Sequence, residues 1–78
     1  NPKGGLNKLY TKGKIEKPEY QVVEQCLDDD HRTLWKCKCH VDGFSDHECD
    51  GYFYKKSDAE SNAAQKVLNE ILKLNPGL

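Results

Sequence analysis

The sequence has no long hydrophobic run and no excess of positive charge. None of its apolar stretches approaches the roughly 20 residues that a helix needs to cross a bilayer, and its first five residues are too polar for a signal peptide. The net charge is −1, whereas many nucleic-acid-binding domains are strongly basic. These absences argue against a membrane protein, and the charge balance argues against very tight binding to nucleic acid.

Internal repeats and low-complexity tracts are also missing, so the chain predicts one folded domain. At 78 residues it is a small domain, which we expect to be excised from a larger protein. Chains of this size bury only about 60% of their unfolded surface, so the core must be compact. A hydrophobic content of 36% and a charged content of 32% are typical of a soluble α+β domain.

The cysteine pattern indicates packing rather than metal binding or disulfides. The four cysteines are Cys26, Cys37, Cys39 and Cys49. Nothing else suggests secretion, so we expect reduced thiols in a protein of the nucleus or cytoplasm. Cys37 and Cys39 alternate in phase with Trp35 and Val41 and should point into the core. Structural zinc sites usually show C-x2–4-C spacing instead of C-x-C, so we predict no zinc and no other cofactor.

Apolar periodicity predicts a helix at each end of the chain. Leu6, Leu9 and Tyr10 share one face of a short helix that Gly13 should end. The second helix should begin near Ser57, where Ser57 and Glu60 have the spacing of a capping box. Its buried stripe consists of Ala59, Ala63, Ala64, Val67, Leu68, Ile71, Leu72 and Leu74.

Three strands are predicted between the helices, over residues 20–25, 35–41 and 47–54. Pro18 precedes the first of them, and Asp42-Gly43 is a hairpin signal between the second and third. Residues 28–31 should form a loop. The predicted order is helix, strand, strand, strand, helix, and three antiparallel strands can bury one face only if both helices pack on it. The fold class is therefore α+β.

Several local motifs fall at the spacings of one known family. They are Leu6-Asn7, Pro18-x-Tyr20, His31 ahead of Leu34-Trp35, Gly51 ahead of the third-strand aromatics, and Ala59-x3-Ala63-Ala64-x2-Val67-Leu68-x2-Ile71. Together they resemble the double-stranded RNA-binding domain over nearly the whole chain, with a core of about residues 4–74. The residues 51–53 and the turn at 42–43 resemble the plant branch of Dicer-like enzymes, their partners and related ribonuclease III-like proteins.

The resemblance implies binding of A-form duplexes by shape, across two minor grooves and the phosphates between them. Carried over residue by residue, it implies three contact regions: Lys8, Thr11 and Lys12 on the first helix, His31 and Arg32 in the first loop, and Lys55 and Lys56 at the start of the last helix. Each of these also has an ordinary interpretation, as the polar face of a helix, a loop histidine or a solvated strand end.

Three departures from the family pattern predict weak binding. Lys8 stands where the family has a glutamate that accepts a 2′-OH hydrogen bond, and an ammonium group has donors only. The loop before His31 carries Asp28-Asp29-Asp30, whose carboxylates repel phosphate and, being adjacent in one loop, do not converge on a metal. Glu60 replaces the third lysine of the last helix.

The leading hypothesis is a non-catalytic module that binds double-stranded RNA in RNA processing or silencing. The alternative is a protein-interaction domain of the same fold that binds RNA weakly and recruits another protein of the RNA-processing machinery, through a free strand edge or the face of the first helix. An independent enzyme is disfavoured, because no acid–base pair stands at a plausible spacing.

Overall fold

The computed structural model describes all 78 residues. The elements are helix α1 (Pro2–Thr11), strands β1 (Glu19–Leu27), β2 (Thr33–His40) and β3 (His47–Glu48), and helix α2 (Lys56–Leu74). The strands form one antiparallel sheet in the order β1-β2-β3. The predicted α+β class and element order are confirmed.

Helix α1 is short and is closed at both ends by its own sequence. The side chain of Asn1 accepts hydrogen bonds from the backbone N–H groups of Lys3 and Gly4, which are otherwise unpaired at a helix start. At the other end Gly13 adopts a positive φ of 74°. Its N–H donates to the carbonyl of Tyr10, and the next N–H donates to that of Leu9, which is the Schellman pattern. Gly13 therefore stops the helix as predicted.

The hairpin of β1 and β2 is the main part of the sheet and contains one irregularity. Val22 pairs with Cys37 and Glu24 pairs with Lys36, so Val23 is the extra residue of a β-bulge. Beyond the hairpin, β3 has only two residues, and Phe53 returns to pair with Trp35 as an isolated bridge. The third strand is therefore shorter than predicted, because the chain turns away at Asp50 and Gly51.

The core lies between α2 and one face of the sheet. Cys37, Cys39 and Val41 are fully buried on that face, as their alternation predicts. Helix α2 packs against β2 and β3, and α1 packs against α2. The fully buried residues of the helices are Leu6, Ala59, Ala63, Ala64, Val67 and Ile71. Trp35 is half-buried against this cluster, which agrees with its predicted role in packing.

The predicted capping box is wrong. Helix α2 begins earlier than predicted, with Lys55 as its N-cap residue and no side-chain hydrogen bond at the cap. Ser57 is already inside the first turn, and the carboxylate of Glu60 binds Lys3 of α1 instead of a backbone N–H group. The 19 residues of α2 are too polar for a membrane-spanning helix, and α1 is too short for one.

Candidate nucleic-acid interface

The last turn of α1 presents two lysines that have no carboxylate partner. Lys8 and Lys12 are exposed, and neither side chain takes part in an ion pair. Thr11, between them, is exposed as well, and its hydroxyl donates within the helix to the carbonyls of Asn7 and Lys8, at 2.8 and 3.0 Å. The two ammonium groups are thus free to bind an anion, while the threonine oxygen retains only acceptor capacity.

The loop between β1 and β2 is a tight three-residue hairpin connection. The N–H of Asp28 donates to the carbonyl of Arg32, and the N–H of His31 donates to the carbonyl of Asp28. His31 has a φ of 63°, the left-handed conformation that this type of loop requires at its third position. Its side chain is exposed at the tip and makes no hydrogen bond within the domain. The loop geometry therefore presents an imidazole outward.

Arg32 is held inside a cluster that we call the Arg32 cluster, formed by Asp28, Arg32 and Tyr54. The guanidinium Nε donates to Asp28 Oδ2 at 3.2 Å, and one Nη donates to the Tyr54 hydroxyl at 3.1 Å. The hydroxyl in turn donates to Asp28 Oδ2 at 2.9 Å, and the guanidinium carbon lies 4.4 Å from the centre of the Tyr54 ring. The guanidinium also forms an ion pair with the exposed Asp30, at 3.7 Å. Arg32, predicted as an RNA contact, is thus engaged by two carboxylates and by Tyr54.

The Asp28 carboxylate organises this loop. Besides its contacts in the Arg32 cluster, its Oδ1 accepts from the backbone N–H groups of Asp30 and Arg32, at 2.8 and 2.9 Å. The Arg32 N–H is the main reason that the pKa of Asp28 lies below its ordinary value, and the Tyr54 hydroxyl adds to this effect. Its side chain is only 15% exposed. Asp29 and Asp30 are exposed, and Asp30 lies 3.7 Å from the Arg32 guanidinium.

The two lysines at the start of α2 also lack carboxylate partners. Lys55 is the N-cap residue and Lys56 is the first helical residue, and both side chains are exposed and outside every ion pair. Because no side chain caps this end, the first-turn N–H groups are available to an anion along with the two ammonium groups. Asp58, in the first turn, opposes anion binding there.

The Glu60 carboxylate is paired with Lys3 of α1 and not with Lys55 or Lys56. Its Oε1 is 2.7 Å from the Lys3 ammonium group, and the glutamate side chain is 17% exposed. The same ammonium group lies 5.1 Å from the centre of the Tyr20 ring. Burial, with the nearby Cys39 and Glu60, raises the pKa of Tyr20 to about 12. The Lys3–Glu60 pair therefore joins α1 to α2, the two helices that carry the free lysines.

On the sheet face that is turned away from the helices, the lysines are paired with carboxylates. Lys36 and Lys38 lie 3.7 and 3.6 Å from the carboxylates of Glu48 and Asp46. Tyr52 donates to Glu24 at 2.7 Å on the same face, so its hydroxyl is also satisfied. These paired lysines contrast with the unpaired ones on the helices, which makes the helical side the better anion-binding surface.

His40 and Asp46 give folding stability a defined pH dependence. The two side chains are 2.5 Å apart, and Asp42 also contacts the imidazole. The hydrogen bond to Asp46 raises the pKa of His40 above its ordinary 6.5, and the same bond lowers the pKa of Asp46 below its ordinary 3.8. The stabilisation by charged His40 is therefore present below pH 6.5 and is lost as the pH rises through the folded-state pKa. The stabilisation by ionised Asp46 is lost as the pH falls through its own folded-state pKa.

We therefore expect His40→Gln to destabilise the domain at about pH 5 and to have little effect at about pH 9. Urea unfolding of both proteins across this range measures the difference. His31→Gln is the matched control, because His31 is exposed and unpartnered, and it should leave the pH dependence unchanged. Parallel pH curves for the wild type and His40→Gln would contradict the assignment.

The cysteines and remaining histidine are all engaged in packing or hydrogen bonds. All four cysteines are free thiols, of which Cys26 is half-buried and the other three are buried. Burial, helped by Asp46, raises the pKa of Cys39 to about 11, which favours the neutral thiol. His47 binds Glu70 at 2.6 Å. No three His, Cys, Asp or Glu side chains gather where they could hold a metal ion.

The structure links the three predicted regions through residues that sequence reasoning missed. Lys3 connects the first region to α2, and Tyr54, directly before Lys55, connects the loop to the third region. Both links span long sequence separations, 57 residues for Lys3–Glu60 and 22 for Arg32–Tyr54. The sequence contains the opposite charges and the aromatic residue that form these two contacts, but it does not indicate which residues pair.

Comparison with protein families agrees with this architecture. The model of the double-stranded RNA binding motif matches residues 2–71, from the first residue of α1 to the last buried turn of α2. No curated protein matches the chain. The family match covers both helices and all three strands, including every region discussed above. The chain therefore belongs to the double-stranded RNA-binding motif family, a generally non-catalytic class of binding module whose partner is double-stranded RNA.

Proposed function

We propose that this domain binds RNA duplexes through the free lysines of its two helices, as a non-catalytic module of an RNA-processing or RNA-silencing protein. The observation that carries the proposal is the separation of its lysines into two classes. Lys36 and Lys38 on the open sheet face are paired with carboxylates, and so are Lys3 and Lys66 on the helices. All four lysines of the predicted contact regions, Lys8, Lys12, Lys55 and Lys56, are exposed and unpaired. Outside those regions, Lys14, Lys17 and Lys73 are also unpaired. Unpaired ammonium groups bind phosphate without first breaking an internal contact.

The start of α2 is the proposed phosphate-binding region. Lys55 and Lys56 bring two cations to a helix end whose N–H groups are uncapped, and both features favour phosphate oxygens. Duplex RNA places its phosphates along the edges of a deep, narrow major groove. A helix end is narrow enough to approach such an edge without reading bases, which fits recognition by shape.

The end of α1 and the tip of the hairpin are the proposed minor-groove regions. Lys8 and Lys12 donate to phosphate or 2′-OH oxygens there, and Thr11 accepts from a 2′-OH. His31, exposed at the loop tip, contacts the second minor groove. Arg32 is bound by Asp28 and Tyr54 within the domain, so we do not include it among the RNA contacts of the wild-type domain. Exposure without an internal ion pair thus favours six of the seven predicted contact residues, whereas Arg32 is engaged within the domain.

The resemblance of residues 51–53 and of the turn at 42–43 supports an origin in a Dicer-like, Dicer-partner or ribonuclease III-like protein of the plant type. Such a parent acts in the nucleus or cytoplasm, where we place the domain. The parent would supply any nuclease activity, while this domain holds the duplex.

Fluorescence anisotropy with an RNA duplex of about 20 base pairs tests the proposal, because such a duplex exceeds the roughly 16 base pairs that one domain spans. We expect binding at about 0.05 M salt that weakens at about 0.15 M salt. A DNA duplex of the same sequence and single-stranded RNA are the controls and should bind more weakly. Equal affinity for the DNA duplex, or no binding at the lower salt, would refute the proposal.

A protein-interaction role is the second candidate, favoured by a groove on the side of α1 away from Lys8. It has a volume of about 500 Å³ and is lined by Tyr10, Pro18 and Tyr20 together with Lys3 and Lys17, among others. Tyr10 is 40% exposed there. The aromatic walls suit an apolar side chain of a peptide, and the two lysines suit an acidic residue next to it. Absence of RNA binding at low salt would favour this second role.

A further inference from the structure

The two oxygens of the Asp28 carboxylate accept hydrogen bonds from different groups. Oδ1 accepts from the backbone N–H groups of Asp30 and Arg32 and so fixes the loop. Oδ2 accepts from the Arg32 side chain and from the Tyr54 hydroxyl, and so fixes the guanidinium. The loop conformation and the position of the arginine are therefore separable, because each depends on a different atom.

Arg32 is the only arginine of the chain, and its guanidinium is a group well suited to binding phosphate. A guanidinium binds phosphate through two parallel N–H donors, a geometry that lysine cannot provide. Its side chain is 60% exposed, so solvent and ligands reach it. It is nevertheless occupied by Asp28 and stacked on Tyr54, the residue that directly precedes Lys55. A phosphate that binds side-on, through the Nε–H and the neighbouring Nη–H, would have to displace the Asp28 carboxylate and the Tyr54 hydroxyl.

We infer that Asp28 and Tyr54 hold Arg32 back from RNA, so that the domain binds duplexes more weakly than its basic residues allow. Breaking the Oδ2 contact leaves Arg32 with only the longer ion pair to the exposed Asp30, at 3.7 Å, and makes its Nε side available to an additional phosphate. The Arg32 cluster thus lowers the affinity of the domain for duplex RNA, and we call this effect the restraint. This inference rests on the proposed function and concerns the strength of the same interface.

Asp28→Asn tests the restraint with little change to the loop. The amide oxygen of asparagine can still accept from the backbone N–H groups, whereas its NH₂ group cannot accept from Arg32 or Tyr54. We expect the variant to bind the RNA duplex about three- to tenfold more tightly at about 0.15 M salt. Its plot of log affinity against log salt should steepen by about one, since one more phosphate is neutralised.

Asp29→Asn is the matched control for the lost charge. Asp29 is exposed in the same loop and makes no hydrogen bond or ion pair, so its replacement removes one negative charge and no contact with Arg32. It should strengthen binding less than Asp28→Asn and should leave the salt slope unchanged. Arg32→Ala completes the comparison. It should have little effect in the wild type and should remove the gain in the Asp28→Asn background.

Tyr54→Phe provides a second variant that does not touch the loop. It deletes the hydroxyl that accepts from Arg32 and donates to Asp28, while the ring remains. We expect a smaller increase in affinity in the same direction. Because the chain has a single arginine, its Nε–H gives one NMR signal. This Nε–H should exchange slowly with water in the wild type and in Tyr54→Phe, where Asp28 Oδ2 still accepts from it, and faster in Asp28→Asn.

The outcomes separate this inference from the proposed function. If the wild type binds duplex RNA but Asp28→Asn behaves as Asp29→Asn does, the restraint is refuted and the proposed function stands. Equal effects of Arg32→Ala in both backgrounds, or fast exchange of the wild-type Nε–H, would refute it as well. If neither the wild type nor any variant binds at about 0.05 M salt, both are refuted. A steeper slope that depends on Arg32 establishes the restraint.

Discussion

Replacing Lys55 and Lys56 by alanine is expected to weaken binding to duplex RNA by about tenfold or more at about 0.15 M salt. Both side chains are exposed and unpaired, so their removal costs no internal contact and the loss should appear entirely in binding. The slope of log affinity against log salt should become shallower by about two, roughly one unit for each lost phosphate contact. Anisotropy titrations at several salt concentrations measure both quantities.

Lys73→Glu is the matched control for the change in net charge. It alters the charge by the same two units as the double alanine variant, but in the last turn of α2, at the opposite end of that helix. A contact mechanism predicts a much smaller effect from this control, whereas a purely long-range electrostatic mechanism predicts similar losses from the two variants. Equal losses would remove the start of α2 from the interface. Thermal unfolding should show both variants within about 0.5 kcal/mol of the wild type.

Leu6→Ala is expected to lower the free energy of unfolding by about 3 kcal/mol. Leu6 is the one fully buried residue of α1, and it belongs to the core cluster that includes the buried residues of α2. Truncation removes its apolar surface and leaves a cavity where the two helices meet. A domain of this length has a total stability of roughly 4–12 kcal/mol, so the loss is a large share of the total.

Urea denaturation of Leu6→Ala against Leu74→Ala isolates the effect of burial. Leu74 ends α2 and its side chain is 63% exposed, so the same truncation there should change stability by less than about 0.5 kcal/mol. Similar losses for the two variants would show that α1 does not depend on its buried leucine. A domain weakened by Leu6→Ala should also lose RNA affinity near its unfolding midpoint, since Lys8 and Lys12 are carried by α1.

Elements whose pattern repeats within a few residues were predictable from the sequence. The alternation of Cys37, Cys39 and Val41 gave the buried face of β2, and all three are fully buried. The stripe along α2 as far as Ile71 and the stop at Gly13 were likewise local signals, because side-chain periodicity and a positive φ follow from neighbouring residues alone. The prediction was wrong for Leu72 and Leu74, which are exposed because the last turn of α2 extends beyond the sheet contact. The element order and fold class followed from these signals.

The contacts that determine the interface were not predictable, because their partners lie far apart in sequence. Glu60 has the spacing of a capping residue, yet the ammonium group of Lys3 on α1 is a stronger partner for it than a backbone N–H group. Arg32 stands in a loop that the family pattern makes an RNA contact. Only the return of the chain at Phe53 brings Tyr54 next to it. Sequence spacing identifies the candidate RNA-binding side chains. Contacts between residues far apart in sequence determine which of these side chains have no partner within the domain.

The bulge at Val23 and the brevity of β3 also bear on how the domain behaves among copies of itself. An open sheet edge offers unpaired N–H and C=O groups to any other chain, and regular, flat edges are the most prone to such pairing. Here the bulge divides β1 into two runs of four ladder residues, and the opposite edge strand has only two residues. With a net charge of −1, electrostatic repulsion between copies is weak. We therefore expect the bulge in β1 and the shortness of β3 to limit edge-to-edge pairing between copies, which charge repulsion limits in more basic domains.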